Sequence, residues 1–211
     1  IYMSKRIIKK IVAVILSISC LMYANMSAFA ADNEMNFEIG AVMVDQETGE
    51  KTPVDVEYKI TPISKFANTD EQTCIAEVTA NFKLPTPEIA PLLSDTSTSE
   101  SDVKASISIH YDRRNDEIRV NKVSGFWEPS NSQIFLNNRE VIYGDGVPVV
   151  GKHDKKNPTT NTFEYPTGWG WVLYYPAAPD ALSGARAFSS AVVNVSGMSP
   201  HTIEVFVTAN Q

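Results

Sequence analysis

The stretch that decides the fold is VKASISIHYD, residues 103–112. Apolar and polar residues alternate along its whole length. One face carries Val103, Ala105, Ile107, Ile109 and Tyr111, and the other carries Lys104, Ser106, Ser108, His110 and Asp112. A period of two is typical of a β-strand with one face in a core and the other toward solvent. We therefore predict a half-buried strand here.

The residues after this strand predict a hairpin. Residues 113–116 (RRND) form a polar turn, and Ile118 and Val120 begin a return strand. At Lys122-Val123 the apolar phase switches, and Gly125 follows at once. Since one extra residue in a strand produces such a switch, we expect a bulge or a kink near this point.

Short strand-like runs fill most of the chain from Ala31 onward. Besides 103–112 and its return strand, they cover 36–44, 54–63, 73–84, 133–143, 162–165, 169–175, 189–195 and 202–208, with Gly, Pro, Asn and Ser between them. We find no amphipathic helical pattern of ten or more residues in this part. The pattern predicts an all-β fold, an antiparallel β-sandwich of immunoglobulin-like or jelly-roll type.

Residues 31–211 are predicted to form one sandwich domain with a long loop. The stretch 85–101 contains three prolines and then a run of Ser, Thr and acidic residues. Because it has no apolar surface to bury after Leu93, we expect 85–101 to be a mobile loop. The alternative is a chain split at this loop, whose first part, 31–84, is marginal in size as an independent fold.

The first thirty residues predict an export signal. Four basic residues between Lys5 and Lys10 precede an apolar run from Ile11 to Ala24, and Ala28-Phe29-Ala30 follows. A basic start, a short apolar run and a small-x-small site are the parts of a signal peptide. We therefore expect cleavage after Ala30, between the signal peptide, 1–30, and the secreted domain, 31–211.

Two alternatives to a cleaved signal stay open. A retained membrane anchor is disfavoured by length, since a span needs about 20 apolar residues. A lipoprotein acylated at Cys20 is disfavoured because Ser17 stands where a large apolar residue is expected. The long basic start and the Ala-x-Ala site resemble the export signals of Gram-positive bacteria. We see no sorting motif before an apolar tail, so we expect an extracellular protein, released or loosely held in the cell wall.

Charge and cysteine content limit the classes of function. The net charge is −7, and removing the four basic residues of 1–30, which has no acidic residue, makes it −11. So acidic a chain is unsuited to nucleic acid or to an anionic membrane. Cys74 is the one cysteine of 31–211, so this part forms no internal disulfide. Its strand-like surroundings favour a small buried hydrophobe over a nucleophile.

Clustered aromatic residues are the candidate binding residues. All three tryptophans lie between Trp127 and Trp171, and TGWGW at 167–171 places Trp169 and Trp171 two residues apart. In an extended strand, such residues share a face, and Tyr165 joins them if the chain stays extended. We therefore nominate Trp127, Tyr165, Trp169 and Trp171 as a platform that stacks on sugar rings. The alternative is that these rings fill the core.

No motif with a catalytic mechanism behind it is found in the sequence. The histidines at 110, 153 and 201 are scattered, and neither a zinc-ligand spacing nor a nucleophile elbow occurs. Glu128 and Glu164, each beside aromatic residues, are the nominees for the paired carboxylates of a glycosidase. We predict no catalytic residues and a protein that is not an enzyme.

Oxygen ligands in two turns leave calcium as an alternative to the expectation of no cofactor. One cluster contains Asp112, Asn115, Asp116 and Glu117, and the other contains Asp45, Glu47 and Glu50. Hard oxygen ligands in loops suit Ca²⁺, but neither cluster has the spacing of an EF-hand. Ordinary turn chemistry, in which Asn and Asp accept backbone hydrogen bonds, is the competing explanation.

The sequence therefore predicts a secreted β-sandwich protein that binds rather than catalyses. We expect an extracellular recognition module for a glycan or a cell-surface protein. The alternatives are a secreted hydrolase that uses Glu128 or Glu164, and a structural accessory protein of the envelope with wholly internal aromatics. We expect no nucleic-acid partner and no membrane contact after cleavage, and we assign no oligomeric state.

Overall fold

A computed structural model describes residues 36–65, 71–85, 102–146, 151–173 and 184–210. These ranges contain strands, turns and loops without a helix. They therefore hold no helix with the length and apolar character needed to cross a membrane.

Two predictions fall outside the described ranges. The export signal, 1–30, precedes them, and the predicted loop 85–101 lies outside them except for Pro85. The chain divides after Asp32, and every described residue belongs to the unit Asn33–Gln211.

Twelve strands follow one another along the described chain. They are β1 (Asn36–Asp45), β2 (Lys51–Val54), β3 (Val56–Lys65), β4 (Gln72–Phe82), β5 (Val103–Arg114), β6 (Glu117–Pro129), β7 (Phe135–Gly144), β8 (His153–Lys156), β9 (Thr162–Pro166), β10 (Val172–Leu173), β11 (Ala185–Asn194) and β12 (His201–Asn210). The period of two does not predict β2 and β8. Each has four residues, and β2 contains Pro53 while β8 is wholly polar, so neither shows an alternation.

The strands form two antiparallel sheets. Sheet A has the order β2-β1-β12-β11-β7-β8. Sheet B has the order β10-β6-β5-β4-β3, and β9 also pairs with β6, beside β10. Strands β11 and β12 of sheet A contact β4, β5 and β6 of sheet B, so the sheets pack face to face. The all-β, antiparallel prediction is confirmed, and the two sheets are arranged as in a β-sandwich.

The core lies between the two sheets. The predicted inner face of β5 is completely buried, from Val103 to Tyr111. Burying one Ile or Val side chain stabilises the fold by about 1.5–3 kcal/mol. The apolar face of β5 therefore determines which side of the strand faces the core. Cys74 on β4 is buried as well, and burial raises the pKa of its thiol. Its predicted burial is therefore confirmed.

Strands β5 and β6 form the predicted hairpin. Arg114 pairs with Glu117, which leaves a two-residue connection of Asn115 and Asp116. Asn115 has a φ of +46°, a conformation that Asn tolerates in tight turns. The hairpin therefore closes on two residues of the predicted four-residue polar turn.

The predicted change of phase in β6 is a bulge at Asn121. Here β6 has one residue more than β5. Ile118 and Val120 point into the core before the bulge, and Val123 and Trp127 point into it afterwards. The extra residue lets both halves of a long strand bury their apolar side chains.

Gly125 has a packing role separate from the bulge. A Cβ added at Gly125 would stand 2.2 Å from the carbonyl oxygen of Ser106 and 2.6 Å from the ring of Phe163. That ring packs on Trp127, with 5.0 Å between the centroids. A glycine is therefore required where Phe163 of β9 lies opposite Gly125 in the pairing with β6.

We expect Gly125→Ala to lower the free energy of unfolding by about 1–3 kcal/mol or more, because the methyl group overpacks the contact with Phe163. Gly170→Ala is the matched control, since the nearest atom to a Cβ there is Lys152 Nζ at 3.7 Å. It should change the free energy by less than about 1 kcal/mol. Urea denaturation followed by circular dichroism measures both variants. A Gly125→Ala protein as stable as the control would contradict the packing described here.

Candidate functional site

Residues 167–171 connect β9 to β10 at one edge of sheet B and carry two of the nominated tryptophans. The prediction of a strand over 169–175 is wrong for 169–171, because β10 contains only Val172 and Leu173 of the described residues. Gly168, with a φ of +63°, turns the backbone out of the extended conformation. Residues 174 and 175 lie outside the described ranges.

Hydrogen bonds from Thr167 anchor this loop to the bulge of β6. Its backbone N–H donates to the carbonyl of Asn121 at 3.0 Å. Its hydroxyl donates to the carbonyl of Val120 and accepts a bond from the N–H of Trp169 at 3.2 Å. The bulge therefore supplies the two carbonyls that hold the loop.

Five aromatic rings form a chain of contacts from the core to this loop, which we call the aromatic chain. Its centroid separations are 5.0 Å for Trp127–Phe163, 5.8 Å for Phe163–Tyr165, 6.1 Å for Tyr165–Tyr143 and 5.5 Å for Tyr143–Trp169. Such pairs are worth about 0.5–1.5 kcal/mol each beyond burial. Tyr165 and Trp169 are half-buried, so the aromatic chain ends at the surface.

Trp127 lies at the buried end of the aromatic chain. Its side chain is 1% exposed. An indole without an accessible face cannot stack on a sugar ring. The nomination of Trp127 as a binding residue is therefore wrong, and its ring fills the core instead. The cause is the bulge in β6, which turns the second half of the strand so that Trp127 points inward.

Trp171 has different neighbours from Trp169. The guanidinium carbons of Arg114 and Arg119 lie 4.2 Å and 4.4 Å from its ring centroid. Both distances are typical of cation–π contacts. Trp169 instead stacks on Tyr143. The two tryptophans therefore do not stand together as on an extended strand, and each has its own support.

Acidic neighbours balance the charge of these two arginines. Arg114 forms an ion pair with Glu117 at 2.8 Å, and Arg119 forms ion pairs with Asp112 at 2.6 Å and Glu71 at 3.3 Å. Burial raises the pKa of Asp112, but its hydrogen bonds, including those with Arg119, lower that pKa by more. The surroundings of Trp171 are therefore polar without a net positive charge.

Tyr143 supports Trp169 from the core side. Its hydroxyl donates a hydrogen bond to Asp154 Oδ2 at 3.3 Å. Burial, together with the nearby carboxylate of Asp154, raises the pKa of Tyr143 to about 12. Lys156 pairs with the same carboxylate at 2.7 Å. The hydroxyl of Tyr143 therefore stays protonated and donating at neutral pH.

A buried carboxylate, that of Asp145, fastens the chain next to the loop. It accepts hydrogen bonds from the backbone N–H groups of Val120 at 3.3 Å and Lys152 at 3.0 Å. Lys152 Nζ in turn donates to the carbonyl of Gly170 at 3.3 Å. Burial raises the pKa of Asp145. Its role is structural, because it satisfies backbone groups that would otherwise be buried without partners.

Sequence reasoning missed Tyr143 and Asp145. In the sequence, Tyr143 looks like any other strand residue, and its ring partners, Tyr165 and Trp169, are distant in the chain. In the sequence, Asp145 looks like part of a turn, but the glycines on both sides of it, Gly144 and Gly146, could have indicated a closely packed position. A Cβ at either glycine would stand 2.8 Å from another atom, which marks a close approach of chain segments.

The two nominated carboxylates do not form a catalytic pair. Glu128 and Glu164 are exposed on the outer face of sheet B, and Glu164 forms an ion pair with Lys122 at 3.1 Å. Glu164 lies opposite Ser124, four residues before Glu128, which is about 13 Å along the strand. Glycosidase carboxyl groups are about 5–9.5 Å apart across a cleft. This open face therefore does not favour hydrolysis by the pair.

Protein groups contact three carboxylates of the nominated calcium turns, those of Asp45, Asp112 and Glu117. Asp45 accepts bonds from the N–H groups of Thr48 at 2.9 Å and Glu47 at 2.7 Å, and these bonds lower its pKa. Asp112 and Glu117 of the other turn pair with arginines. In the ranges that the structure describes, no group of three or more His, Cys, Asp or Glu residues is arranged to hold a metal ion. These contacts are those of ordinary turn chemistry.

The groups gathered around 167–171 suit binding. They offer two half-buried indoles, the N–H groups of two arginines, and a loop held by hydrogen bonds. No family model, curated protein or solved structure matches the chain.

The burial of Trp127 predicts a clear difference in fluorescence. The double variant Trp169→Phe/Trp171→Phe keeps Trp127 alone and should emit at shorter wavelength, with several-fold weaker quenching by acrylamide. Trp127→Phe keeps the two half-buried indoles and should be quenched more strongly than the double variant. Steady-state quenching of both folded proteins provides the measurement. Equal quenching would mean that Trp127 is accessible.

The raised pKa of Tyr143 predicts a loss of stability at alkaline pH. The protonated hydroxyl contributes fully below about pH 10, the pKa of an unfolded tyrosine. That contribution is lost as the pH rises through about 12, the folded value. The free energy of unfolding should fall over this window in the wild type and fall less in Tyr143→Phe. Tyr58→Phe, which changes a half-exposed ring, should follow the wild type in denaturant titrations at successive pH values. Parallel curves for wild type and Tyr143→Phe would contradict the assignment.

Proposed function

We propose that the protein is a secreted, non-catalytic recognition module that binds glycan through the loop 167–171. Trp169 and Trp171 make the contact, with Tyr165 beside them. One observation carries this proposal: both indoles are half-buried, and the loop that presents them is anchored by hydrogen bonds to β6.

The support behind each indole favours binding with little loss of entropy. Trp169 rests on Tyr143, and Trp171 rests on Arg114 and Arg119. Rings that are already ordered lose little rotamer freedom when a ligand arrives. Their apolar faces suit the C–H groups of a sugar ring, and the guanidinium N–H groups suit its hydroxyls. Because acidic residues balance the arginines, a neutral glycan fits better than a polyanion.

Secretion is part of the proposal. It is supported by the basic start, the apolar run and the Ala28-Phe29-Ala30 site of residues 1–30. The resemblance of this segment to Gram-positive export signals supports a bacterial source. We propose release from the cell, with loose retention in the wall as the alternative.

The finer type of the sandwich, immunoglobulin-like or jelly-roll, stays a prediction. The connections β2–β3, β6–β7, β8–β9 and β10–β11 each pass from one sheet to the other, and both types contain such crossings. Calcium binding at the two acidic turns also stays a prediction, and it is not needed for binding by the loop.

A structural accessory protein of the envelope is the second candidate. It is favoured by the inner half of the aromatic chain, because Trp127 and Phe163 are buried and act in packing. The two candidate functions assign different roles to Trp169 and Trp171. As packing residues these indoles support stability alone, whereas in a recognition module they also contact the ligand.

The test uses protein collected from the culture medium, whose first residue should be Ala31 if the export signal acts as proposed. Trp169→Ala and Trp171→Ala should each weaken binding on a glycan array at least about tenfold, equivalent to about 1.4 kcal/mol of binding free energy. Phe135→Ala is the control, because this ring is 66% exposed but lies on β7, outside the loop. It should leave binding unchanged.

Each outcome of this test selects one function. Folded Trp169→Ala and Trp171→Ala proteins that bind as the wild type does exclude the site. Loss of binding to a cell-surface protein, with no glycan binding in the wild type, keeps the site and changes the ligand class. A wild type that binds neither class favours the structural accessory protein.

A further inference from the structure

Strand β3 is a long open edge of sheet B. It has ten residues, and among the described residues no strand pairs with it on the side away from β4. The two edge strands of sheet A, β2 and β8, have four residues each, and β2 contains Pro53. An open edge presents unpaired N–H and C=O groups, and proteins usually shorten, charge or interrupt such edges. A ten-residue edge is therefore unusual within this fold.

The first half of β3 is charged, with Glu57 and Lys59 exposed, but only the second half is interrupted. Pro62 has no N–H to donate, and a bulge lies between Pro62 and Ser64. The first half, 56–61, has neither device. It carries Tyr58, whose side chain is 51% exposed although Val56 and Ile60, on the same side of the strand, pack against the core. The uninterrupted half therefore has an exposed aromatic ring between two exposed charges of opposite sign.

We propose that the first half of β3 pairs with the same segment of a second copy of this chain, antiparallel, about a two-fold axis at Tyr58. In this register Glu57 of each copy lies opposite Lys59 of the other on the outer face. Val56 lies opposite Ile60 on the core side, and the two Tyr58 rings meet at the axis. Residues directly opposite in an antiparallel pair point to the same face, so each contact joins side chains that can touch.

In that register, the charged residues of one copy lie opposite residues of opposite charge in the other copy. Glu57 and Lys59 are both exposed, and within the described residues of one chain neither forms an ion pair. On β4, Glu77 lies opposite Lys59 and Thr79 lies opposite Glu57. Across the interface, Glu77 and Lys59 of one copy are therefore followed by Glu57 and Thr79 of the other, so that unlike charges are adjacent.

This complementarity favours a second copy over an unrelated strand as the occupant. In a two-fold pair every favourable contact occurs twice by symmetry. An unrelated extended peptide would need the reverse charge order at the same spacing. The overlap of about five to seven residues matches an ordinary strand pairing in length.

Pairing through β3 would leave both candidate binding loops free. Each loop lies at the opposite edge of sheet B from β3. Sheet B would continue from one copy into the other, with the two loops about 40 Å apart at its ends, from a strand spacing of about 4.8 Å. The dimer does not depend on the proposed function, and its test involves no ligand.

Charge reversal tests the register directly. We expect wild-type protein at about 200 µM to sediment as a dimer, since such a concentration reveals micromolar dissociation constants. Glu57→Lys and Lys59→Glu should each weaken dimerisation at least about tenfold, because both cross-axis pairs become like-charged. An equimolar mixture of the two variants should dimerise again, because each Lys then faces a Glu of the other chain. The double variant Glu57→Lys/Lys59→Glu should dimerise as the wild type does.

Glu128→Lys is the control, since Glu128 is exposed on the same face of sheet B but lies three strands away, on β6. It should leave the dimer unchanged, and circular dichroism checks that every variant is folded. The proposal is overturned by a wild type that is monomeric at this concentration. It is also overturned by a dimer that both single reversals leave intact, or by a mixture of the two that stays monomeric.

Discussion

The bulge at Asn121 sets the direction of both halves of β6, and the candidate site depends on that direction. One extra residue turns Val123 and Trp127 into the core after Ile118 and Val120 have already been buried. The same irregularity lets the carbonyls of Val120 and Asn121 accept bonds from Thr167. A regular strand would expose one half of these apolar side chains and would leave the loop 167–171 without its anchor.

Sheet B has different structures at its two edges. At one edge, β9 and β10 cover β6 and present a loop with half-buried indoles. At the other edge, β3 is ten residues long and is interrupted only in its second half. Glu128 and Glu164 are exposed on the outer face of sheet B, and Glu164 lies opposite Ser124, four residues before Glu128.

The strands could be predicted because alternation between neighbouring residues indicates them. The aromatic site could not be predicted because its rings contact residues that are distant in the sequence. The alternation in 103–112 predicts which side of β5 faces the core, although Ser106 and Asp112 on the other side are buried as well. The switch at Lys122-Val123 predicts the bulge from neighbouring residues alone. Trp127, Trp169 and Trp171 look alike in the sequence. Their difference comes from β9, which brings Phe163 onto Trp127, and from the β5–β6 hairpin, which brings Arg114 and Arg119 onto Trp171.

By itself the sequence determined the all-β class, the β5–β6 hairpin with its bulge and the buried character of Cys74, because period-two burial needs only neighbouring residues. The tertiary structure alone decided which tryptophan is core and which is surface, and it brought Tyr143 to Trp169 and Asp145 to the amides of Val120 and Lys152. Apart from the bond between Asp145 and Lys152, those contacts join segments far apart in the chain. Their existence depends on strand order and register, which hydrophobic alternation does not encode.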